Sequence, residues 1–322
     1  MVDSKNYNIL LELQRNARQS DAQIARKLGI SEAAVRRRIV ALITEGTIRI
    51  TAVTNHWKVG FDTAPFICIQ ADLHLLDQVM EALAAMPRVH FISFTTGRFN
   101  IIIWVTFRSP PELADFIKND IAAISGIIRV EVIFVPEFKK RDQKILIDNR
   151  IHESSEDKGN EVLPPVEDTR SRKKSKLIDT LDRNIIRELQ KDARQSDAQI
   201  SRNLGMSEWT VRRRIQRFIR DEIINVAAVI DPLKVGYTTP AFIGVQADLS
   251  RLDDICGRFF LMPRIHAVAL TIGQFDLFLW VTFRSPQELT DFIVKELSKV
   301  PGITRTETFI HLQIKKRELG IL

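Results

Sequence analysis

Shifted by 176 positions, the chain lies on itself: Asn8–Arg141 aligns with Asn184–Arg317 without a gap, and about half of the aligned positions are identical. ELQRNARQSDAQIARKLGIS faces ELQKDARQSDAQISRNLGMS, and WVTFRSPPELADFI faces WVTFRSPQELTDFI. A period this long exceeds the roughly 20–50 residues of a solenoid unit. It marks two copies of a whole module, so any fold proposed for one half must serve for the other. Between the copies runs Asp142–Lys176, polar, charged and proline-bearing, which reads as a flexible linker. Such a chain spans roughly 30–35 Å on average.

Within each copy the first part is helical. A short helix carries Leu10, Leu11 and Leu13. Ser20 and Gln23 then form a capping-box pattern, matched by Ser196 and Gln199. Gly29 ends that second helix, because glycine enters the left-handed turn cheaply. Ser31 caps a third helix reaching about Glu45, and Ser207 does the same in the second copy. Two capped helices joined by a glycine-bearing turn make a helix-turn-helix.

The third helix carries VRRRI, at Val35–Ile39 and Val211–Ile215. At about 100° per residue, Val35, Ile39, Leu42 and Ile43 gather on one side. Arg37 points away from them, with Ala33, Ala34, Ala41 and Thr44 nearby, and Arg36 and Arg38 flank it. This is the layout of a recognition helix: a central arginine and small side chains toward base edges, flanking arginines toward phosphates. The expected DNA-binding residues are Ser31, Ala33, Ala34, Arg36, Arg37 and Arg38 in the first copy. In the second they are Ser207, Trp209, Thr210, Arg212, Arg213 and Arg214. Where base reading would occur the copies differ, Ala33-Ala34 standing against Trp209-Thr210. Trp209 either stacks on Arg213 or packs on its own domain.

Charge distribution agrees. The net charge is +7, and residues 1–60 hold 10 basic against 5 acidic side chains, 177–236 hold 11 against 9. The stretches 61–141 and 237–317 are near balance, at 8 against 9 and 10 against 8.

The second part of each copy reads strand, helix, strand, strand, helix, strand: Pro65–Ala71, Leu75–Ala85, Val89–Thr95, Asn100–Phe107, Pro110–Ile124 and Arg129–Phe138. That order is the split βαβ, ferredoxin-like pattern. The expected fold class is therefore α+β, two tandem modules, each an N-terminal helix-turn-helix followed by a ferredoxin-like βαββαβ domain. Expected bounds are 1–60 and 61–141, then linker 142–176, then 177–236 and 237–322. One sheet face carries the helices; the other needs a cover, and Ile102, Trp104, Phe278 and Trp280 are candidates for that apolar contact.

Other chemistry is sparse. There is no P-loop, Gly-x-Gly-x-x-Gly, nucleophile elbow or metal spacing, so no catalytic residue, metal or cofactor is expected. Cys68 and Cys256 are too few for a disulfide framework and read as buried thiols. No apolar run approaches the roughly 18 residues of a membrane span. MVDSKNYNIL lacks a signal pattern, so a cytoplasmic protein is expected. His152, His311, Lys139–Arg141 and Lys315–Arg317 read as solvated surface.

LDRNIIRELQKDAR at Leu181–Arg194, the helix-turn-helix through VRRRI, DPLKVGY at Asp231–Tyr237, TIGQFDLFLWV at Thr271–Val281 and PGITRTET at Pro301–Thr308 together resemble the Lrp/AsnC (feast/famine) transcription regulators. The resemblance covers nearly all of both modules. It implies ferredoxin-like domains paired back to back, often assembled further, and an amino acid or related effector near a Gly-x-aromatic-Asp turn. The matching positions are Gly97, Arg98, Phe99 and Asn100 in the first copy and Gly273, Gln274, Phe275 and Asp276 in the second. Asn100 lacks the carboxylate of Asp276, and Arg98 adds a cation where Gln274 is neutral. Either turn also reads simply as a hairpin whose glycine permits positive φ. The resemblance further implies double-stranded DNA as partner and an intramolecular pseudo-dimer, with higher homo-oligomers open. Unlike recognition helices in one chain suit an asymmetric operator, whose half-sites lie roughly 34 Å apart.

Two alternatives stand beside regulation. The siroheme decarboxylases are similar in architecture and also occur as two-module fusions; His90, Phe99-Asn100 and Trp104 echo them in part, but Gly97 and Thr95 stand where their second histidine and arginine fall, and His90 and His266 share one repeat position. The other alternative is an architectural DNA-binding protein without a specific operator.

Overall fold

The structure, a computed structural model, describes residues 2–142, 145–146, 178–318 and 320. The expected linker therefore lies almost wholly outside the described residues, as does His152. The first copy runs α1 (Ser4–Arg15), α2 (Asp21–Leu28), α3 (Glu32–Thr44), β1 (Ile48–Thr54), β2 (Phe66–Ala71), α4 (Leu76–Ala85), β3 (Val89–Thr95), β4 (Ile101–Val105), α5 (Pro110–Asp115) and β5 (Ile127–Arg141). The second runs α6 (Thr180–Lys191), α7 (Asp197–Leu204), α8 (Glu208–Arg220), β6 (Ile224–Ile230), β7 (Thr239–Ala247), α9 (Leu252–Leu261), β8 (Ile265–Ile272), β9 (Leu277–Phe283), α10 (Pro286–Asp291) and β10 (Ile303–Arg317). After α5 and α10 the chain continues as wider π turns, Phe116–Ile121 and Phe292–Glu296.

Local chemistry places the helices as expected. The Ser20 hydroxyl accepts from Gln23 N, and the Gln23 side chain returns to Ser20 N, closing the capping box. In the second copy Ser196 caps Gln199 N, but the Gln199 amide turns to Asn203 at 3.3 Å. Gly29 and Gly205 end their helices at φ 66° and 64°, where a Cβ would be strained.

The strands bind the copies together. In each copy the sheet order is ferredoxin-like, β3-β4-β2-β5 and β8-β9-β7-β10. The last strands are 15 residues long, more than one module needs. The first part of β5 pairs with β2 and its end with β8 of the other copy. β10 pairs with β7 and then with β3. The two sheets thus close into one eight-stranded barrel. Its interior holds the aromatic faces foreseen as an interface: Ile102, Trp104 and Phe278 are buried, and Phe66 meets Phe242 and Phe278 at 5.1 Å each. Trp280 is only partly buried.

A second bond between copies lies at the helical end. β1 and β6 pair antiparallel along their whole length, Ile48 opposite Ile230 and Thr54 opposite Ile224. Each helix-turn-helix leans on the other copy's strand. Thr51 Oγ1 donates to the Gln190 carbonyl at 2.8 Å, and Ala193 N donates to Ile50 O at 3.1 Å.

Three surface assignments are corrected. His311 is buried and shares a hydrogen bond with Ser93 Oγ at 2.8 Å, and burial pushes its pKa down to about 3. Lys140 crosses to cap the carbonyls of Phe260 and Met262, and Lys316 likewise caps Ala84 and Met86. Arg141 and Arg317 point between the sheets, over Trp104 and Trp280. Local sequence shows a basic strand end; only the crossing of that end into the other module buries it. Cys68 and Cys256 are buried free thiols, as expected.

Candidate nucleic-acid interface

The third helices, α3 and α8, are built alike. Ser31 Oγ accepts from Ala34 N and Ser207 Oγ from Thr210 N, both at 3.2 Å. Val35, Ile39 and Leu42 are buried beneath α3, and Val211, Ile215 and Phe218 beneath α8. Ile43, expected in that apolar group, is instead 44 % exposed, and so is its counterpart Ile219 in kind. Ala33 is exposed and Ala34 half-exposed on the outer face.

The three arginines of each triplet have separate fates. Arg36 stays exposed, with Nε 3.2 Å from Asp21 and Nη2 3.1 Å from Glu32. Arg212 repeats this with Asp197 at 2.9 Å and Glu208 at 2.6 Å. Arg38 is turned inward, donating to Asp3 at 2.8 Å and Asn6 at 2.7 Å at the start of α1. Arg214 meets Asp179 at 2.7 Å and also Asp182. The Asn6 amide and the Arg38 guanidinium hold the Asp3 carboxyl below its ordinary value. Burial works to raise Asp179, and hydrogen bonds from Arg214 and Asp182 N outweigh it. Arg38 and Arg214 thus tie the third helix to the first.

Arg37 and Arg213 are left. Both are exposed, and neither makes a hydrogen bond or ion pair among the described residues. Arg213 lies 5.2 Å over the Trp209 ring, and Trp209 is 67 % exposed, so the tryptophan keeps to the outer face rather than packing on its domain. Sequence reasoning had no signal for one further contact: Arg194 reaches from the second helix-turn-helix to Asp21 of the first at 2.5 Å.

The glycine turns sit at the far end of the barrel. Gly97 has φ 100°, and a Cβ there would lie 3.3 Å from the Phe309 ring of β10. A Cβ on Gly273 would lie 3.4 Å from Val132 O of β5. Each turn therefore touches the other copy. Arg98 Nε is 3.0 Å from Glu307 and Nη2 3.7 Å from Glu131, while Gln274 donates no such charge. Phe99 and Phe275 are buried. The Asn100 side chain is committed to β2: it accepts from Ala71 N at 2.8 Å and donates to Ala71 O at 2.7 Å. Asp276 keeps only the first of these bonds, from Ala247 N at 2.8 Å.

A helix-turn-helix with an outward arginine, followed by a ferredoxin-like domain and repeated once, defines a two-headed DNA-binding regulator. The AsnC-type helix-turn-helix domain matches residues 2–43 and 178–219, and the Lrp/AsnC ligand binding domain matches 65–145 and 240–321. The chain belongs to the Lrp/AsnC family of transcriptional regulators.

Among its relatives, an uncharacterised HTH-type transcriptional regulator of Pyrococcus abyssi is 39% identical over 140 residues, 43% of this chain and 89% of the relative. The regulatory protein AsnC of Haemophilus influenzae is 29% identical over 138 residues, 42% of this chain and 92% of its own. One whole relative thus corresponds to one copy of the repeat. Among solved structures, the siroheme decarboxylase NirDL superposes with a TM-score of 0.63, covering 98% of this chain and 93% of NirDL. At 12% identity that likeness concerns the fold. No described helix is long and apolar enough to cross a membrane.

Proposed function

We propose that one chain acts as an intramolecular pseudo-dimer that lays α3 and α8 on two unlike half-sites of an asymmetric operator. The carrying observation is that Arg37 and Arg213 alone of the six triplet arginines are exposed without an ionic partner, in unlike company. Arg37 stands among alanines, and Arg213 is stacked on Trp209. Each is placed to read a guanine edge, with the Trp209 ring added for a thymine methyl. Ser31 and Ser207, the capped helix starts, face phosphate along with Arg36 and Arg212, which exchange exposed, solvent-screened ion pairs for it. Arg38 and Arg214 serve by holding the helix in place. Ala33, Ala34 and Thr210 complete the base-facing surface.

An amino acid or related small molecule is the effector class, taken at the turns around Gly97–Asn100 and Gly273–Asp276. Their contact with the other copy's last strand supports this, since a ligand there bears on both modules. The turns differ in charge, so their affinities differ.

The test is footprinting with Arg37→Ala and Arg213→Ala. Each variant should lose protection of a different half-site, at about 1–3 kcal/mol per lost bidentate contact. Equal weakening of one half-site sinks the asymmetric reading, and a specificity ratio near one over random DNA favours an architectural role instead. His90 and His266 make the same buried hydrogen bonds, to Thr106 at 2.8 Å and Thr282 at 2.7 Å, which supports a structural rather than enzymatic role.

A further inference from the structure

The barrel holds two cations that the regulator reading leaves unused. Arg141 ends β5 and Arg317 ends β10, at equivalent positions of the repeat. Arg141 lies 5.4 Å from the Trp104 ring and 5.5 Å from Phe138. Arg317 lies 4.3 Å from the Trp280 ring. Both line a single cavity of about 90 Å3 between the sheets, walled by Phe66, Phe91, Phe242 and the two tryptophans.

These guanidinium groups lack counter-charges. Arg141 makes no hydrogen bond or ion pair with any described residue. Arg317 donates Nη1 to Ile230 O at 3.1 Å, but its buried Nη2 has no acceptor. The indole N–H of Trp280 is likewise buried without one, whereas that of Trp104 reaches Ala64 O at 3.2 Å. Asp142 and Glu318 also line the cavity. Glu318 faces Lys316 at 3.6 Å, and Asp231 acts on Arg317 only from beyond ion-pair distance. Desolvation draws both arginines down to a pKa of about 10.

A half-buried cation without a counter-charge is costly to desolvate, and an apolar side chain of similar volume is often neutral or stabilising in such a place. Both copies nonetheless carry it. A carboxylate is the counter-charge that the guanidinium fork fits best, through two parallel hydrogen bonds. The ring-lined walls suit a flat apolar remainder. At about 90 Å3 the cavity is smaller than the roughly 150 Å3 that takes benzene in engineered proteins, so it admits no more than one ring, and that ring only in part, the rest lying toward solvent.

We propose that the cavity is a binding site for a small aromatic carboxylate, its anion held by Arg141 and Arg317 and its ring by the tryptophan and phenylalanine faces. The site is separate from the glycine turns. Phe66 opens β2 and Ala71, the partner of Asn100, closes it, about 17 Å away at strand rise. One arginine comes from each copy, so the ligand bridges the modules.

The test is calorimetric titration of the full chain with benzoate, against acetate and the neutral benzamide. One carboxylate per chain should bind, with benzamide and acetate at least about tenfold weaker, the loss expected for one charge-assisted contact or one ring. Arg141→Met should weaken benzoate by about tenfold or more while leaving the Tm of the unliganded protein unchanged or raised. Absence of saturable benzoate binding overturns the proposal, as does parity with benzamide or acetate. Arg141→Met binding benzoate as well as the parent overturns it too. The wild-type comparison decides the matter if that variant fails to fold.

Discussion

The two copies carry the same fold on different local chemistry, and the differences fall into two kinds. Beneath the helices, copy two is more heavily ionic. Asn6 of α1 is Asp182 in α6, and Ala41 of α3 is Arg217 in α8. Asp182 is buried and faces both Arg214 and Arg217, the latter at 2.5 Å. In copy one the same place holds a neutral amide and one arginine. On the outer face, Ala33-Ala34 against Trp209-Thr210 changes what DNA would meet. The arginine triplets are unchanged. The first kind bears on how firmly each head is held, the second on the surface each head would offer to DNA.

Asp182→Asn should give the largest effect. It imposes copy one's residue but strands Arg217, so stability should fall by about 3 kcal/mol, near the lower bound for breaking a buried pair. Asn6→Asp, the reverse change, should move stability by less than about 1 kcal/mol, because Ala41 offers no second cation. Chemical denaturation of both variants checks this, and equal effects would show that the two heads are held alike.

The barrel offers a second contrast. Cys68 of β2 corresponds to Gly244 of β7, and a Cβ on Gly244 would fall 2.6 Å from the Phe275 ring. Gly244→Cys should therefore destabilise by about 1–3 kcal/mol through overpacking, although it copies the residue that β2 accepts. An unchanged midpoint of unfolding would mean that Phe275 can move aside at no cost.

The smallest effect concerns Asp21. Arg194 joins it across the two heads, whereas Arg18, the counterpart of Arg194, is exposed and unpaired among the described residues. Burial raises the Asp21 carboxyl, and its bonds to Arg194 and Arg36 outweigh that, leaving the pKa below the ordinary 3.8. A depressed carboxylate stabilises at neutral pH and loses that contribution as pH falls from 3.8 through the lower folded value. Arg194→Ala should lower the melting temperature slightly near neutrality and flatten its fall toward acid. Arg18→Ala should do neither.

Much of this was legible in the sequence, and the illegible parts share a cause. The capped helices, the outward Arg37 and the strand order follow from spacing over a few residues, and the repeat doubles each signal. β5 and β10 were expected shorter because local periodicity cannot show that their ends pair with β8 and β3. The same crossing buries His311 and brings Arg141 and Arg317 between the sheets. The β1–β6 pairing was invisible for that reason. Arg38 and Arg214 look like phosphate ligands on a helical wheel; their capture depends on Asp3 and Asp179, 35 residues away in each copy.

The most direct measurement exchanges the reading surface. The double variant Trp209→Ala, Thr210→Ala gives α8 the outer face of α3. Its binding is compared with the parent's on the natural operator and on two palindromes, each built from one half-site. The parent should prefer the natural operator over both palindromes, and the variant should shift toward the palindrome of the half-site that Arg37 protects. A parent that binds either palindrome as tightly as the natural operator, or a variant with unchanged preference, contradicts the account of two unlike heads on one chain.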